Sequence, residues 1–236
     1  MGLGDVRYTV LETAQEVFRK LGLDAPTSLT SNKLSTQMVD FINDVCNDLS
    51  DFGNWQETLT SVNVTAVSGQ SDYTVSTSAN IKNIGDIYFI GSATRTGPLR
   101  NVTVEEMRIL TRSTATGTPS QYTIFGTDSA ANPNIRVRPQ PGSTEEGKLF
   151  SILCYIRPPR YSTSDGSVVI PYPARVVVLG ALARAVLNES GGAPTNKFTA
   201  FYQEYLQARK EALNRFNGDT GWSVAFTPSL TTRRRR

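Results

Sequence analysis

The chain has 236 residues, with 24 lysines and arginines against 21 aspartates and glutamates, and it contains no histidine. The lack of histidine removes the commonest general base and the commonest metal ligand, which weakens the case for hydrolytic or metal-dependent catalysis. Four arginines end the sequence; without them 20 basic residues face 21 acidic ones, a net charge of −1, whereas a nucleic-acid-binding domain usually carries its positive charge on the folded body.

The first predicted element is a helix over Asp5–Leu21, because its apolar residues recur every three or four positions. Asp5 is the predicted N-cap, since its short side chain can accept hydrogen bonds from the free amides of the first turn. Gly22 fits the left-handed position that ends a helix, and Leu23 can then fold back onto Phe18.

The second predicted helix lies within Ser31–Trp55, and we expect the rest of the chain to be organised around it. Ser31 or Asn32 is the predicted N-cap, and Gly53 is the predicted end. The apolar residues that step by three and four along its predicted buried face are Leu34, Met38, Phe41, Ile42, Val45, Leu49 and Phe52.

A line of four aspartates runs down another face of this helix, at Asp40, Asp44, Asp48 and Asp51. Like charges four residues apart destabilise a helix by about 0.2–0.5 kcal/mol per pair, so helix stability does not explain the line. The line fits a solvated face, a cation site completed by another element, or a face presented to a charged partner or a channel. The sequence leaves these three interpretations open.

Residues 56–170 read as a β region, because short runs rich in Thr, Val, Ile and Tyr are broken by Gly, Pro, Asn and Asp. Five or six strands are predicted, in a small antiparallel barrel or sandwich. Leu149–Ile156 is apolar on both faces and should be a central strand. Thr103 and Glu106 form a capping box that opens a short helix.

Helical periodicity returns after Pro173, which suits the first turn of a helix. The helix from Ala174 to Leu187 is apolar nearly all round and should be the most buried, with Gly180 marking a close neighbour. A last helix is predicted from Thr195 to Phe216, ended by Gly218. Its apolar residues are predicted to be core, or alternatively a stacking platform for bases: Phe198, Phe201, Tyr202, Tyr205, Leu206, Ala212, Leu213 and Phe216.

These elements predict an α+β fold: a discontinuous four-helix bundle built from both chain ends, with an inserted antiparallel β barrel or sandwich. The predicted domains are 1–55 and 171–218 for the helical part and 56–170 for the β part. Residues 219–236 show no periodicity and are predicted to be an extended C-terminal arm, ordered only when something receives it.

No run approaches the roughly 20 apolar residues that a transmembrane helix needs. The first residues lack the basic and apolar parts of a signal peptide, and Val6 stands where myristoylation expects Ser or Thr. We therefore expect the protein to be cytoplasmic at synthesis, with no membrane anchor. Cys46 and Cys154 are read as small buried side chains in a reducing compartment.

A search for catalytic patterns predicts no catalytic, cofactor-binding or metal-binding residues, and hence no enzyme. No phosphate-binding glycine loop or serine-nucleophile motif is present. A carboxylate pair for glycoside cleavage is formally available among Glu57, Glu105, Glu106, Glu145 and Glu146. The adjacent Glu145 and Glu146 fit a solvated turn better, because Gly and Ser surround them.

The terminal arginines, Arg233–Arg236, are the sharpest single feature. They fit a flexible solubilising end, a segment that pairs with phosphate, or a segment that docks onto protein carboxylates. Docking onto carboxylates is favoured over phosphate binding, because the rest of the chain offers no basic surface to continue a nucleic-acid track.

The order of several loose motifs resembles the head-to-tail adaptor (connector) proteins of tailed bacteriophages, especially the short-tailed ones. The resemblance covers about Val6–Phe216. The motif residues are Ile42, Asn43, Asp44, Asp48, Leu49 and Trp55 in the second helix and after it; Gly69, Tyr73, Thr116, Gly117, Pro119, Tyr122, Pro139 and Pro141 in the β region; and Pro171 and Pro173 before the apolar helix.

This resemblance implies a virion protein of the head–tail junction: a ring of twelve adaptor subunits fixed beneath the portal ring, with double-stranded DNA passing through the centre without being read. The β domains would face the tail nozzle and tail fibres. The arm would dock onto the portal protein through Arg233, Arg234, Arg235 and Arg236, with Trp222, Phe226 and Leu230 as apolar anchors. Asp40, Asp44, Asp48 and Asp51 would face the channel, where like charge keeps DNA from sticking, or a neighbouring subunit.

Two rival functions come from other classes. One is a nucleic-acid-binding β-barrel module that uses the arginine tail. The other is a virion cell-wall hydrolase that uses Glu57, Glu105 and Glu106. DNA affinity after deletion of residues 227–236, and a zymogram, respectively test them.

Overall fold

The computed structural model describes residues 6–78, 80–91 and 95–219, with side chains for all of these except 95, 96 and 216–219. The helices are α1 (Val10–Leu21), α2 (Lys33–Phe52), α3 (Val104–Leu110), α4 (Ala174–Glu189) and α5 (Asn196–Asp219), and a 3-10 turn spans Gln56–Thr58. The strands are β1 (Leu59–Thr65), β2 (Asp72–Thr74), β3 (Asn80–Ile90), β4 (Arg95–Pro98), β5 (Arg100–Asn101), β6 (Gln121–Thr127), β7 (Pro133–Arg138) and β8 (Leu149–Arg157).

Internal contacts divide this α+β chain into two compact units. The helical unit comprises Met1–Val45 and Gly166–Arg236, and the β unit comprises Cys46–Asp165. The division falls inside α2, so one helix contributes to both units. The domain boundaries drawn from the sequence, after residues 55 and 170, stay predictions.

The start of α1 differs from the predicted start. Asp5 lies outside the described residues, and the helix begins at Val10 behind a capping box: the Thr9 hydroxyl accepts from the Glu12 amide at 3.2 Å, and the Glu12 carboxylate accepts from the Thr9 amide at 2.8 Å. The residues before it are extended, because the Tyr8 carbonyl accepts from the Ile170 amide at 3.0 Å. The predicted end is confirmed, since Gly22 is left-handed with φ +76°.

α2 begins as one of the two predicted options allows. The Asn32 side-chain oxygen accepts from the Ser35 amide at 2.8 Å, and the Ser35 hydroxyl accepts from the Asn32 amide at 3.0 Å, so Asn32 is the cap. Most of the predicted apolar face is buried. Leu34 and Phe41 are half-buried, and Phe52, in the last turn of the helix, is 39% exposed.

α4 is the most buried helix, as predicted, with eleven of its 16 residues buried. It packs against α1 and α5. The predicted close neighbour of Gly180 is confirmed: a β carbon at this position would lie 2.8 Å from a methyl carbon of Val45 and 2.9 Å from the Tyr205 ring. The absence of a side chain at Gly180 is therefore what lets α2 and α5 approach α4 here.

α5 is only partly core. Tyr205 and Ala212 are buried as predicted, but Tyr202 is 37% exposed, which contradicts its assignment to the core. The helix continues through Gly218 to Asp219 instead of ending at Gly218. The side chain of Phe216 lies outside the described part of the chain.

The β unit contains two four-stranded sheets, with strand orders β1-β8-β3-β4 and β2-β7-β6-β5. Both contribute to one hydrophobic core, which includes Tyr73 and Val137 from one sheet and Phe89, Phe150 and Ile152 from the other. The strands that the structure describes form two open sheets, so the barrel alternative is not supported.

The position of β8 and the direction of β5 bear on two further predictions about the β unit. The predicted central strand is confirmed, because β8 lies between β1 and β3. The antiparallel prediction is wrong for one pair, since β5 and β6 run parallel. β5 has only two residues, which is too short for a recognisable strand pattern, so the sequence did not show its direction relative to β6.

Candidate interaction surfaces

The aspartate line of α2 lies on its exposed face: Asp40, Asp44, Asp48 and Asp51 are all exposed. Asp51, at the end of the helix, accepts a hydrogen bond from the Arg157 guanidinium of β8 at 2.8 Å. This contact was not predicted, because its two residues lie 106 positions apart. The structure thus gives Asp51 a partner inside the β unit and leaves the line as a whole on the surface.

The cation-site interpretation of this line receives no support from the geometry. Over residues 6–78, 80–91 and 95–219, no three histidine, cysteine, aspartate or glutamate side chains form a group that could hold a metal ion. A solvated face and a face presented to a partner both remain consistent with four exposed carboxylates.

The C-terminal end of α2 is held by two side chains of the β unit. The Trp55 indole donates to the Leu49 carbonyl at 2.7 Å, and the Lys82 ammonium donates to the Gly53 carbonyl at 2.7 Å and also to the Ser50 carbonyl. The last carbonyls of a helix lack partners within the helix and carry partial negative charge, so an ammonium fits there. Burial lowers the pKa of Lys82. Sequence reasoning missed Lys82, since nothing local marks it as a cap.

The loops of the β unit are braced by Glu145. Its carboxylate accepts from the Thr144 hydroxyl at 2.8 Å, from the Gly142 amide at 3.1 Å and from the Thr118 hydroxyl at 3.2 Å. These bonds, that to Thr144 first, lower its pKa. The solvated-turn prediction holds for Glu146, which is exposed, and is wrong for Glu145, which is 6% exposed.

Two of the five glutamates considered for glycoside cleavage, Glu106 and Glu145, are engaged in structural contacts. Glu106 belongs to the capping box of α3, where its carboxylate accepts from the Thr103 amide at 3.0 Å. Glu105 lies beside it on the exposed surface of α3, and Glu57 lies in the 3-10 turn after α2. This arrangement accounts for Glu106 and Glu145 without any catalytic role.

An ion pair joins β2 and β7 on the surface of the second sheet. The Arg136 guanidinium donates to both carboxylate oxygens of Asp72, at 2.6 and 2.7 Å, across directly paired positions. The guanidinium lowers the pKa of Asp72. Two parallel bonds of this kind fix the register of a strand that is only three residues long.

The helical unit has a surface cleft of about 440 Å³ over α4. Ala174, Val178 and Leu179 lie at its buried floor, and Glu16, Lys20 and Glu204 are among the residues that line it from α1 and α5. Acidic and basic side chains are mixed around it, so the cleft selects no single ligand charge.

The predicted portal-binding residues lie outside the described residues. These are Trp222, Phe226, Leu230, Arg233, Arg234, Arg235 and Arg236. Among the helices that are described, none has both the length and the apolar character that crossing a membrane would require.

Residues 8–231 match the model of a protein family described as the SU10 adaptor protein. The chain belongs to this family. The match takes in every helix and strand given above, from Val10 of α1 to Asp219 of α5. The SU10 adaptor family is a phage head-to-tail adaptor family, so the resemblance drawn from the sequence is confirmed. A search of curated proteins found no match.

Three residues of the motifs behind the head-to-tail adaptor resemblance, Gly69, Tyr73 and Tyr122, have structural roles in this chain. Gly69 is left-handed with φ +74°, and the Tyr73 hydroxyl accepts from the Val67 amide at 3.1 Å and donates to the Gln70 carbonyl at 3.1 Å, which closes the turn before β2. Tyr122 donates to the Gly85 carbonyl at 3.0 Å, and burial raises its pKa to about 12. These three motif residues therefore stabilise the fold of the β unit.

Proposed function

We propose that this SU10 adaptor is a structural, non-enzymatic virion protein that forms a ring beneath the portal and joins it to the tail nozzle and tail fibres. The ring contains twelve copies, assembles from subunits made in the host cytoplasm, and leaves a central channel for double-stranded DNA. The family match over residues 8–231 carries this proposal, because it covers the whole described fold and names an adaptor.

Four helices, α1, α2, α4 and α5, form the bundle in this proposal, and residues 56–170 form the inserted β domain. Val45 and Tyr205, which both lie against Gly180, support a close packing of α2, α4 and α5. The side-chain caps on the last carbonyls of α2 show that this end of the helix is firmly held within the β unit.

The predicted arm, residues 219–236, is the proposed portal-docking segment, and its first residue, Asp219, is the last residue of α5. Arg233–Arg236 supply charge-assisted hydrogen bonds to portal carboxylates, and Trp222, Phe226 and Leu230 supply apolar contact. Guanidinium groups suit this role because they make paired bonds with carboxylates, which an ammonium cannot do.

The exposed aspartates of α2 have two places in such a ring. Facing the channel, Asp40, Asp44 and Asp48 would repel the phosphate backbone and keep the DNA mobile. Facing the next copy, they would pair with its basic side chains. Replacement of Asp44 by Asn separates the two: ring formation is unchanged in the first case and weakened in the second.

Binding to the purified portal ring tests the docking proposal. The full chain, a chain without residues 227–236, and a chain with Arg233–Arg236 changed to Lys are mixed with the portal and imaged by negative stain. We expect a second stacked ring with the full chain and none with the deletion. The lysine variant keeps the charge and loses the paired geometry, so we expect it to bind more weakly than the full chain.

Two outcomes would contradict the proposal. Undiminished portal binding by the deletion variant would remove the arm from docking. A loss of affinity for random-sequence DNA that matches the loss for portal, on the same deletion, would favour the nucleic-acid-binding alternative.

A further inference from the structure

Edge strands determine where a sheet can accept another strand, because their outer backbone amides and carbonyls lack partners. In the described part of the chain three of the four edges are poor acceptors. β2 has three residues and β5 has two, while β4 has four, ends at Pro98 and pairs with β3 in an irregular register. Short length, proline and irregularity are the features by which natural sheets discourage strand addition.

β1 is the exception. It has seven residues, Leu59–Thr65, and pairs with β8 over all seven without a bulge. It contains no proline and no charged residue. β1 therefore has none of the features that discourage strand addition, whereas β4, at the opposite edge of the same sheet, has all three.

The backbone groups that face this edge can be identified from the ladder. The Ala66 amide donates to the Lys148 carbonyl at 2.8 Å, so Ala66 faces β8. Because successive residues of an antiparallel strand alternate in direction, Thr60, Val62 and Val64 also face β8. The outward amides and carbonyls are those of Leu59, Ser61, Asn63 and Thr65.

The side chains of β1 define what a further strand should look like. Val62 and Val64 pack against the core shared by the two sheets, while Ser61, Asn63 and Thr65 are exposed. An added strand should therefore place apolar side chains beside Val62 and Val64 on one face of the sheet and polar side chains on the other face. Because β1 carries no charged residue, it cannot form ion pairs with a charged strand.

We propose that β1 is the docking edge for an extended, uncharged segment of the tail-side protein, which adds to the sheet as a fifth strand. The inference rests on the proposed adaptor function and names the surface that meets the tail. A second copy is the less suitable occupant. In a ring, each copy contacts the next through two different surfaces, so β1 would have to pair with one of the other three edges, and these are poor acceptors. Pairing of β1 with β1 is two-fold and would give a dimer, not a ring.

Proline at an outward position tests this directly. Asn63→Pro removes one outward amide and leaves the ladder between β1 and β8 intact. Asn63→Thr is the matched control, since it changes the side chain and keeps the amide. The adaptor–portal complex of each variant is titrated with the tail nozzle protein of the same phage. We expect at least a tenfold loss of affinity for Asn63→Pro, wild-type affinity for Asn63→Thr, and unchanged portal binding for both.

Hydrogen exchange on the unmodified chain gives a second readout that does not depend on the variant folding. On addition of the nozzle protein, the amides of Ser61, Asn63 and Thr65 should become protected, while those of Val62 and Val64, already bonded to β8, should not change. An alternating pattern is specific to strand addition.

Wild-type nozzle affinity of a folded Asn63→Pro variant, or uniform protection along β1, would overturn the inference and leave the proposed function intact. If Asn63→Pro instead disrupts ring formation, the occupant is a second copy and the tail assignment is wrong. If no chain variant binds the portal at all, the adaptor proposal itself fails.

Discussion

Replacing Gly180 with Ala should destabilise the helical unit, although alanine is the better helix former. A β carbon at this position would lie 2.8 and 2.9 Å from the two methyl carbons of Val45 and 2.9 Å from the Tyr205 ring. The optimal separation of carbon atoms is about 3.5 Å or more, so fully buried neighbours must move by about 0.6 Å. Overpacking of this kind costs about 1–3 kcal/mol, against about 1 kcal/mol gained in helix propensity.

We therefore expect Gly180→Ala to lower the free energy of unfolding by up to about 2 kcal/mol. Urea denaturation followed by the helical circular dichroism signal measures this, with the midpoint compared at constant slope. Gly97→Ala is the control, because a β carbon there meets nothing within 4 Å. It should leave the midpoint close to that of the unmodified chain.

A double-mutant cycle identifies the cause. In a Val45→Ala background both methyl contacts are gone and only the contact with the Tyr205 ring remains, so Gly180→Ala should cost less than in the unmodified chain. The close-approach explanation is refuted if Gly180→Ala stabilises the unmodified chain, or if its effect is the same in both backgrounds.

Three further changes test contacts described above. Lys82→Met should destabilise the β unit by about 1–3 kcal/mol, because it removes the cation from carbonyls at the end of α2, and hydrogen exchange should show faster opening of that last turn; unchanged exchange would contradict this. Thr9→Ala should cost about 0.5–2 kcal/mol through loss of the cap on α1, measured by thermal unfolding, and Thr9→Ser should retain most of that stability. The lowered pKa of Asp72 means that its ionised form is favoured by folding, so its contribution is full above the ordinary aspartate pKa and is lost as the pH falls through the lowered value. Asp72→Asn should reduce the loss of unfolding free energy between neutral and acidic pH by less than about 1 kcal/mol, because the pair is half exposed. If that loss is unchanged, the ion pair does not contribute to the pH dependence of stability.

Local signals predicted the helices well. The period of α2, its cap at Ser31 or Asn32 and the close approach at Gly180 were readable, because each depends on residues a few positions apart or on one unusual residue type. The structure decides for Asn32. The start of α1 was readable too. The Thr9 and Glu12 pair has the same spacing as the capping box of Thr103 and Glu106, so the sequence also carries the signal for the observed start.

The contacts that were missed join distant parts of the chain. Lys82 caps a helix 29 or more residues away, and Arg157 reaches Asp51 across 106 positions. Glu145 illustrates a different limit: a carboxylate in a Gly- and Ser-rich loop is usually solvated, and only the folded loops show the hydroxyl and amide donors that surround it. Likewise, the spacing of the apolar residues of α5 predicted a buried face. How much of that face is buried depends on the elements that pack against it, which the sequence of the helix alone does not show.

The chain contains two tryptophans, Trp55 and Trp222. Trp55 is fully buried, and its indole nitrogen donates to a backbone carbonyl at 2.7 Å, so its emission should be blue-shifted and insensitive to added quenchers. Trp222 lies in the proposed arm. After subtraction of the portal's own emission, a change in the tryptophan emission of this chain on portal binding would therefore report on Trp222, so the unmodified protein offers a spectroscopic test of docking.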